Sequence, residues 1–554
     1  MAALLAVGRV TRRVVSLALV TGALTGAGVA GFEWVTRDEL FVRVQRAPMV
    51  VQALAPAAGL AVAALLLRLV ARGASPATAD NYIANFHEQG RRLPLRPVVG
   101  RLLASVATLG SGGALGFEGP SIYLGAAIGS AIQARTSRFF SREDAKILLV
   151  AGAAAGVAAI FKAPVTGLVF AIEVPYQEDV ARRMLLPAGI AAASSYVVFA
   201  AFLGTAPLLA VSGTPPFDLT DLGGAALVGV LCGVGARLFT VLLARAKQTT
   251  VGVPVAARVA VAGAGLAALA GLSNWLFGTP LTVGAGYDNL TWALDPRRTV
   301  SLVLLLLVLR ALATIFTVAG GGAGGLFIPL VIEGALVGRA VGGLFRTAAT
   351  GSTFFPLVGV SAFLGAGYRV PPAGVVFAAE ATGRPGFIVP GLIAAVIAPL
   401  MMGRASASPY QVAGRAGHLE RRFRLPLRTA LQTDVTIAAP DTTLVEFFWN
   451  HLVGQRAKAV PVVDGAAYLG VMGIDEFRDL PDDRWATTTV GERMRTDYPV
   501  LAPGATLGDA LAALEGHDVD LLAVVDGDTF IGVVTTNAVL ALDEVLGSWD
   551  EPGR

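Results

Sequence analysis

Six runs of about twenty consecutive apolar residues, at 16–35, 49–71, 185–203, 222–244, 256–277 and 301–320, constrain this chain more than any other feature. A helix of about twenty residues crosses the roughly 30 Å of hydrocarbon in a bilayer. In that solvent backbone N–H and C=O groups find no water, so a spanning segment satisfies them within itself as a helix. Six such runs exceed what a signal peptide and one anchor would require. The chain is therefore predicted to be mainly α and polytopic, an inference its 55% hydrophobic and 15% charged residues support. The formal charge of +4 does not mark a nucleic-acid partner. Arg9, Arg12 and Arg13, then Arg91, Arg92, Arg96 and Arg101, then Arg415, Arg421, Arg422 and Arg424 flank apolar segments, as the positive-inside bias requires. The single Cys232 lies inside an apolar run and leaves the redox compartment open.

Between the long runs lie shorter apolar stretches broken by Gly or Pro, at 119–133, 147–161, 164–173, 329–344 and 370–381, which read as tilted or half-spanning helices. They repeat. Residues 111–129 set against 320–338 share 8 of 19 positions without a gap, and 152–173 against 359–380 share 9 of 22. Chance gives roughly one match in ten. Two homologous units, at about 80–205 and 285–416, follow from offsets of 209 and 207 residues. Duplicated units with interrupted helices at matching places point to an inverted-topology transporter whose ion site lies between the repeats.

Each unit carries a glycine run and then a proline that opens a helix: Gly116-Phe-Glu-Gly-Pro120 and Gly325-Leu-Phe-Ile-Pro329. Free N–H groups and the positive end of a helix dipole at such a start make an anion site. An anion held by partial charges, with no fixed Lys or Arg, is also able to leave.

These motifs, with Phe161–Glu173 and Tyr410 in Ser-Ala-Ser-Pro-Tyr-Gln, resemble the CLC chloride channel and transporter family, and 430–550 resembles the paired CBS modules that many members append. The resemblance implies a domain at 1–416, a basic linker at 417–428, CBS modules at 429–494 and 495–554, and a homodimer with cytoplasmic termini. It implies that Glu118 is a gating carboxylate, that Gly116, Phe117, Glu118 and Gly119 form one part of the anion site, and that Gly325, Phe327 and Ile328 form the other. Tyr410 would donate to the central anion. Where the family has a coordinating serine, alignment on Pro76 places Gly73, with Ser75 as a substitute. Val174 stands where many proton-coupled members have an acid, and Phe117 where a basic residue is usual. Passive chloride conduction is thus the expectation, with proton-coupled exchange as the alternative.

CBS pairs often bind adenine nucleotides through a Thr and an Asp after the last strand. Here Gly473 and Glu476 occupy those places in the first copy, and Thr535 and Ala538 in the second. A CBS-bearing divalent-cation transporter would need more clustered carboxylates than the apolar segments contain. An enzyme is not expected: His87, His418, His451 and His517 form no metal-ligand spacing, and the chain has no phosphate loop. The scarcity of Lys beside abundant Arg points to a GC-rich bacterial genome, and so to the plasma membrane.

Overall fold

The computed structural model describes residues 2–88, 93–137, 140, 146–209, 218–293, 295, 297–343, 353–414, 425–455, 457–517 and 520–538. The chain divides into two compact units, Met1–Gly414 and Arg415–Arg554. Most of the expected 417–428 linker lies outside the described residues.

The first unit is helical throughout. In chain order it comprises α1 (Ala2–Glu33), which continues through a π-helical stretch (Trp34–Phe41) into Val42–Gln45, α2 (Met49–Leu69), α3 (Ala79–His87), α4 (Leu95–Gly110), α5 (Glu118–Arg135), α6 (Ile147–Phe161), α7 (Pro164–Glu173), α8 (Leu185–Leu203), α9 (Leu219–Thr249), α10 (Val255–Phe277), α11 (Tyr287–Ala293), α12 (Val300–Ala319), α13 (Phe327–Gly342), α14 (Phe354–Gly367), α15 (Pro371–Thr382) and α16 (Ile388–Met402). Among the described residues seven helical segments are long and apolar enough to span a membrane, the six expected runs and Pro385–Met402.

Burial separates long helices from short ones. Every residue of α6 and of α14 is buried, as befits helices that are apolar all round. The long helices instead keep large apolar side chains exposed, among them Leu65, Val197, Leu238 and Leu400. An apolar outer surface around an apolar centre is what a bilayer solvent permits.

The duplication seen in the sequence is present in the packing. A Cβ at Gly125 would lie 2.0 Å from the Gly152 carbonyl oxygen, and one at the equivalent Gly334 would lie 2.3 Å from that of Gly359. α5 on α6, and α13 on α14, therefore touch backbone to backbone, as small residues allow in membranes. α6 and α14 both end in a left-handed basic residue, Lys162 (φ 52°) and Arg369 (φ 54°). Each is followed by a helix that opens on proline, whose fixed φ suits the first helical position. The two repeats then cap each other. Glu380, in α15, accepts from Val165 N–H, Thr166 N–H and Thr166 Oγ1 at 2.8–2.9 Å at the start of α7. Glu173, in α7, accepts from Ala373 N–H at 3.1 Å at the start of α15. A carboxylate satisfies orphan donors there and complements the helix dipole.

The second unit holds a five-stranded sheet, order β1-β2-β5-β4-β3, from β1 (Ala459–Asp464), β2 (Ala467–Gly473), β3 (Val500–Leu501), β4 (Leu521–Asp526) and β5 (Thr529–Thr535). β1–β2 and β4–β5 are antiparallel hairpins. Both turn at an Asp-Gly pair with positive φ at the glycine, Gly465 and Gly527. Gln432 bridges to Val533 on β5, and Arg495 bridges to Val471 on β2. Each hairpin thus takes an edge from the segment ahead of the other, so the two copies interleave rather than abut at 494/495. Two separate apolar clusters result, one around Phe447, Val462 and Met472 and one around Leu507, Leu522 and Val534.

Because the helices meet through their glycines, Gly125→Val and Gly334→Val should each lower stability by about 1–3 kcal/mol or more, read as thermal unfolding in detergent. Gly223→Ala, where an added Cβ meets nothing within 4 Å, should leave the midpoint unchanged.

Candidate functional site

The glycine-rich turns at 111–116 and 320–325 meet head to head. Gly116 N–H donates to the Gly325 carbonyl at 2.9 Å and Gly325 N–H to the Gly116 carbonyl at 2.8 Å, an antiparallel bridge between repeats. A threonine of the opposite repeat pins each turn. Ala114 N–H donates to Thr317 Oγ1 at 3.2 Å and Ala323 N–H to Thr108 Oγ1 at 3.1 Å. These pairs exchange under the 209-residue offset, so the turns obey a local twofold relation.

The relation breaks at the next residues. α5 begins at Glu118 and α13 at its repeat equivalent, Phe327. The Glu118 carboxylate reaches across to the start of α13, where Phe327 N–H donates to Oε1 at 2.6 Å and Ile328 N–H faces it. Glu118 is 1% exposed, and its Oε2 has no hydrogen-bond partner. Backbone dipoles at a helix N-terminus hold this negative charge.

The glycines serve the carboxylate by being absent. A Cβ at Gly116 would stand 1.9 Å from Glu118 Oε2, one at Gly325 would stand 2.1 Å from Oε1, and one at Gly119 would stand 2.8 Å from Gly325 Cα. The N–H groups of Gly116 and Gly325, expected as anion donors, are spent on each other instead. Phe327 and Ile328 open α13, and the Phe327 N–H is the one bonded to Glu118. The Phe327 ring is fixed by both repeats, with centroids 4.4 Å from Phe161, 5.3 Å from Phe170 and 4.8 Å from Phe377. Phe117 packs edge-on against Phe32 at 6.3 Å.

Other expected residues lie elsewhere. Gly73 is exposed, with φ +77° and nothing near an added Cβ. Ser75 is exposed too, and its carbonyl accepts from Arg101 Nε. The hydroxyl that reaches the glycine turns is that of Thr78, which is buried and donates to the Gly324 carbonyl at 3.2 Å. Tyr410 is 50% exposed, in a turn where its N–H donates to Ser408 Oγ. Another tyrosine near this helix start is Tyr368, 3% exposed, whose ring packs edge-on at 5.6 Å against Phe170, itself packed against Phe327. It stands 207 residues after Phe161, a hydroxyl gained at one of two equivalent aromatics, a signal the sequence reading passed over. Val174 is buried, its carbonyl taken by Gln411 Nε2 at 2.9 Å.

The family model described as "Voltage gated chloride channel" matches residues 58–403. The chain belongs to that family. A CBS domain model matches 490–544, and with the duplicated hairpins it identifies the C-terminal unit as a CBS pair. Curated relatives include the H(+)/Cl(-) exchange transporter ClcA of Klebsiella pneumoniae, 30% identical over 313 residues, 54% of this chain and 65% of that protein. ClcA of Citrobacter koseri is 29% identical with 54% and 64% covered, so the match spans a little under two thirds of these relatives. ClcA of Salmonella arizonae is 28% identical over 428 residues, 71% of this chain and 88% of the relative. Among solved structures, a slow cyanobacterial Cl-/H+ antiporter superposes with a TM-score of 0.62 at 23% identity, covering 70% of this chain and 94% of its own. A eukaryotic CLC transporter superposes at 0.59 and 17% identity over 95% of this chain and 98% of its own. These similarities establish the fold.

In the CBS pair, the residues that the resemblance sets at nucleotide contacts make local bonds. Glu476 Oε2 accepts from Gly473 N–H at 2.8 Å, and Thr535 Oγ1 accepts from Ala538 N–H at 3.1 Å.

A methyl group at residue 116 meets the Glu118 carboxylate first, at 1.9 Å from Oε2, so Gly116→Ala should push the carboxylate out of the N–H cradle. Chloride titrated calorimetrically at neutral pH should then bind several-fold more tightly. In a Glu118→Ala background the same substitution should add nothing, because contacting residues are not additive.

Proposed function

We propose that the protein exchanges chloride for protons across the plasma membrane, with Glu118 as the group that handles both. The observation that carries this reading is the Glu118 carboxylate seated in a backbone N–H cradle, with one oxygen unpartnered in a fully buried place. An ionised carboxylate is itself an anion and competes with chloride for those donors. Once protonated it loses the attraction and yields the seat, so each proton taken up admits an anion. The cradle is the Phe327 N–H, which bonds Glu118 Oε1, with the Ile328 N–H next along the same helix start. Because no lysine or arginine pairs with the seat among the described residues, the anion is held by dipoles and is able to leave.

Passive conduction was the expectation because Val174 supplies no titratable group. The relatives named H(+)/Cl(-) exchange transporters, together with a carboxylate seated in a backbone N–H cradle, favour the coupled alternative. Chloride as the substrate rests on the same relatives. A homodimer, a cytoplasmic regulatory CBS pair and an adenine nucleotide bound there complete the proposal as family properties.

The test is reconstitution in liposomes under a chloride gradient, with the potential set by potassium and valinomycin. Uphill proton movement at a fixed ratio to chloride is the expected result, and chloride flux at its Nernst reversal without proton movement would overturn the reading. Wild-type flux should rise as pH falls, since protonation frees the seat. Glu118→Gln, a permanent mimic of the protonated form, should carry chloride without protons and with a flat pH profile.

A further inference from the structure

The short helix α3 runs from the glycine turns to the segment that follows α7. At its start Thr78 Oγ1 donates to the Gly324 carbonyl at 3.2 Å. One turn on, the buried Tyr82 hydroxyl donates to the Ala171 carbonyl of α7 at 2.7 Å. At its last residue His87 Nε2 lies 2.7 Å from the Pro175 carbonyl, one residue past Val174. A carbonyl only accepts, so Nε2 carries the proton in the neutral ring and Nδ1 keeps its lone pair. Rings hold the imidazole edge-on at both sides, Phe86 at 5.0 Å and Tyr176 at 5.4 Å. It is half-buried, and among the described residues nothing bonds Nδ1. Its burial disfavours the charged form and lowers its pKa from the ordinary 6.5, which makes the imidazolium a ready donor. Charged groups on the surrounding elements are Glu88 after α3, Lys146 ahead of α6, whose Nζ donates to Asn85 Oδ1 at 3.1 Å, and Glu178 and Asp179 after α7.

We propose that His87 is the group that loads and unloads protons at the far end of α3, beside a position 174 that carries no acid. This rests on the exchanger reading. Glu173 is committed elsewhere, since its Oε2 accepts the Ala373 N–H that opens α15. The nine residues of α3 rise roughly 14 Å, which sets the imidazole at one end of the helix and the Thr78 contact with the glycine turns at the other. In one direction Nδ1 takes a proton from solvent and the ring becomes imidazolium. That proton then leaves Nδ1 through water along α3 for the Glu118 carboxylate. The ring ends neutral with its Nε2–H still on Pro175, Glu118 ends neutral, and one solvent proton is consumed. In the other direction the same steps run in reverse.

The test is the reconstituted full chain, with chloride and proton flux measured together and their ratio as the readout. Wild-type protein without uphill proton movement would overturn the exchanger reading and this one with it. Given a coupled wild type, His87→Gln keeps a donor for the Pro175 carbonyl but cannot titrate, and it should raise the chloride moved per proton at least about fivefold. Adding Val174→Glu to that variant should bring the ratio back towards wild type, and adding Val174→Gln should not. A purely structural role would lower both fluxes together, so an unchanged ratio in His87→Gln overturns the proposal, as does a raised ratio that Val174→Glu fails to lower. If His87→Gln does not fold, a chain whose other histidines, His418, His451 and His517, are replaced by Gln is modified after folding. Ethoxycarbonylation of His87 with diethyl pyrocarbonate should then raise the ratio and hydroxylamine should restore it; a ratio that does not move overturns the proposal.

Discussion

The pairing of Gly116 with Gly325 is the interaction on which the rest of this membrane unit depends. Two N–H···O bonds and two threonine hydroxyls join the glycine turns of opposite repeats. In a bilayer those turns would otherwise expose irregular backbone, which persists there only where protein covers it. Covering each turn with the other solves the problem for both. It also aims the starts of α5 and α13 at one place, so the seat of the Glu118 carboxylate is a by-product of how the repeats satisfy their own backbone.

The repeats are bound a second time, at Glu173 and Glu380. Each carboxylate caps the opposite repeat's short helix, and each has left the shared site in doing so. The acid that remains is the one with no equivalent. At positions 118 and 327 symmetric backbone carries a carboxylate on one side and a phenyl ring on the other. The ring is wedged among Phe161, Phe170 and Phe377 and keeps its helix start rigid and dry. The carboxylate crosses to that start, where the Phe327 N–H donates to it at 2.6 Å, a bond that a low-dielectric interior strengthens. Function enters through the departure from symmetry.

The CBS pair repeats the same construction in water. Two hairpins 62 residues apart turn at Asp464-Gly465 and Asp526-Gly527, and each borrows an edge from the segment before the other. A lone hairpin is marginal in water, and five strands with two apolar clusters are not. Duplication followed by exchange is thus the strategy of both units.

The sequence by itself determined much of this. The apolar runs, the ungapped repeat and the two proline-opened motifs named the bilayer, the duplicated halves and the helix starts at Glu118 and Phe327, because helix length, repeat offset and local helix starts are properties of contiguous residues. It misassigned what depends on distant segments meeting. Gly116 and Gly325 look like free donors until each is seen to consume the other. Gly73 and Ser75 fit a motif by register, yet Thr78, two residues past the proline, is the hydroxyl that arrives. Tyr410 fits a motif by register, yet its side chain is left half exposed. Only the tertiary structure decided these, since the direction a side chain takes is set by packing between helices more than two hundred residues apart, and no local pattern encodes that.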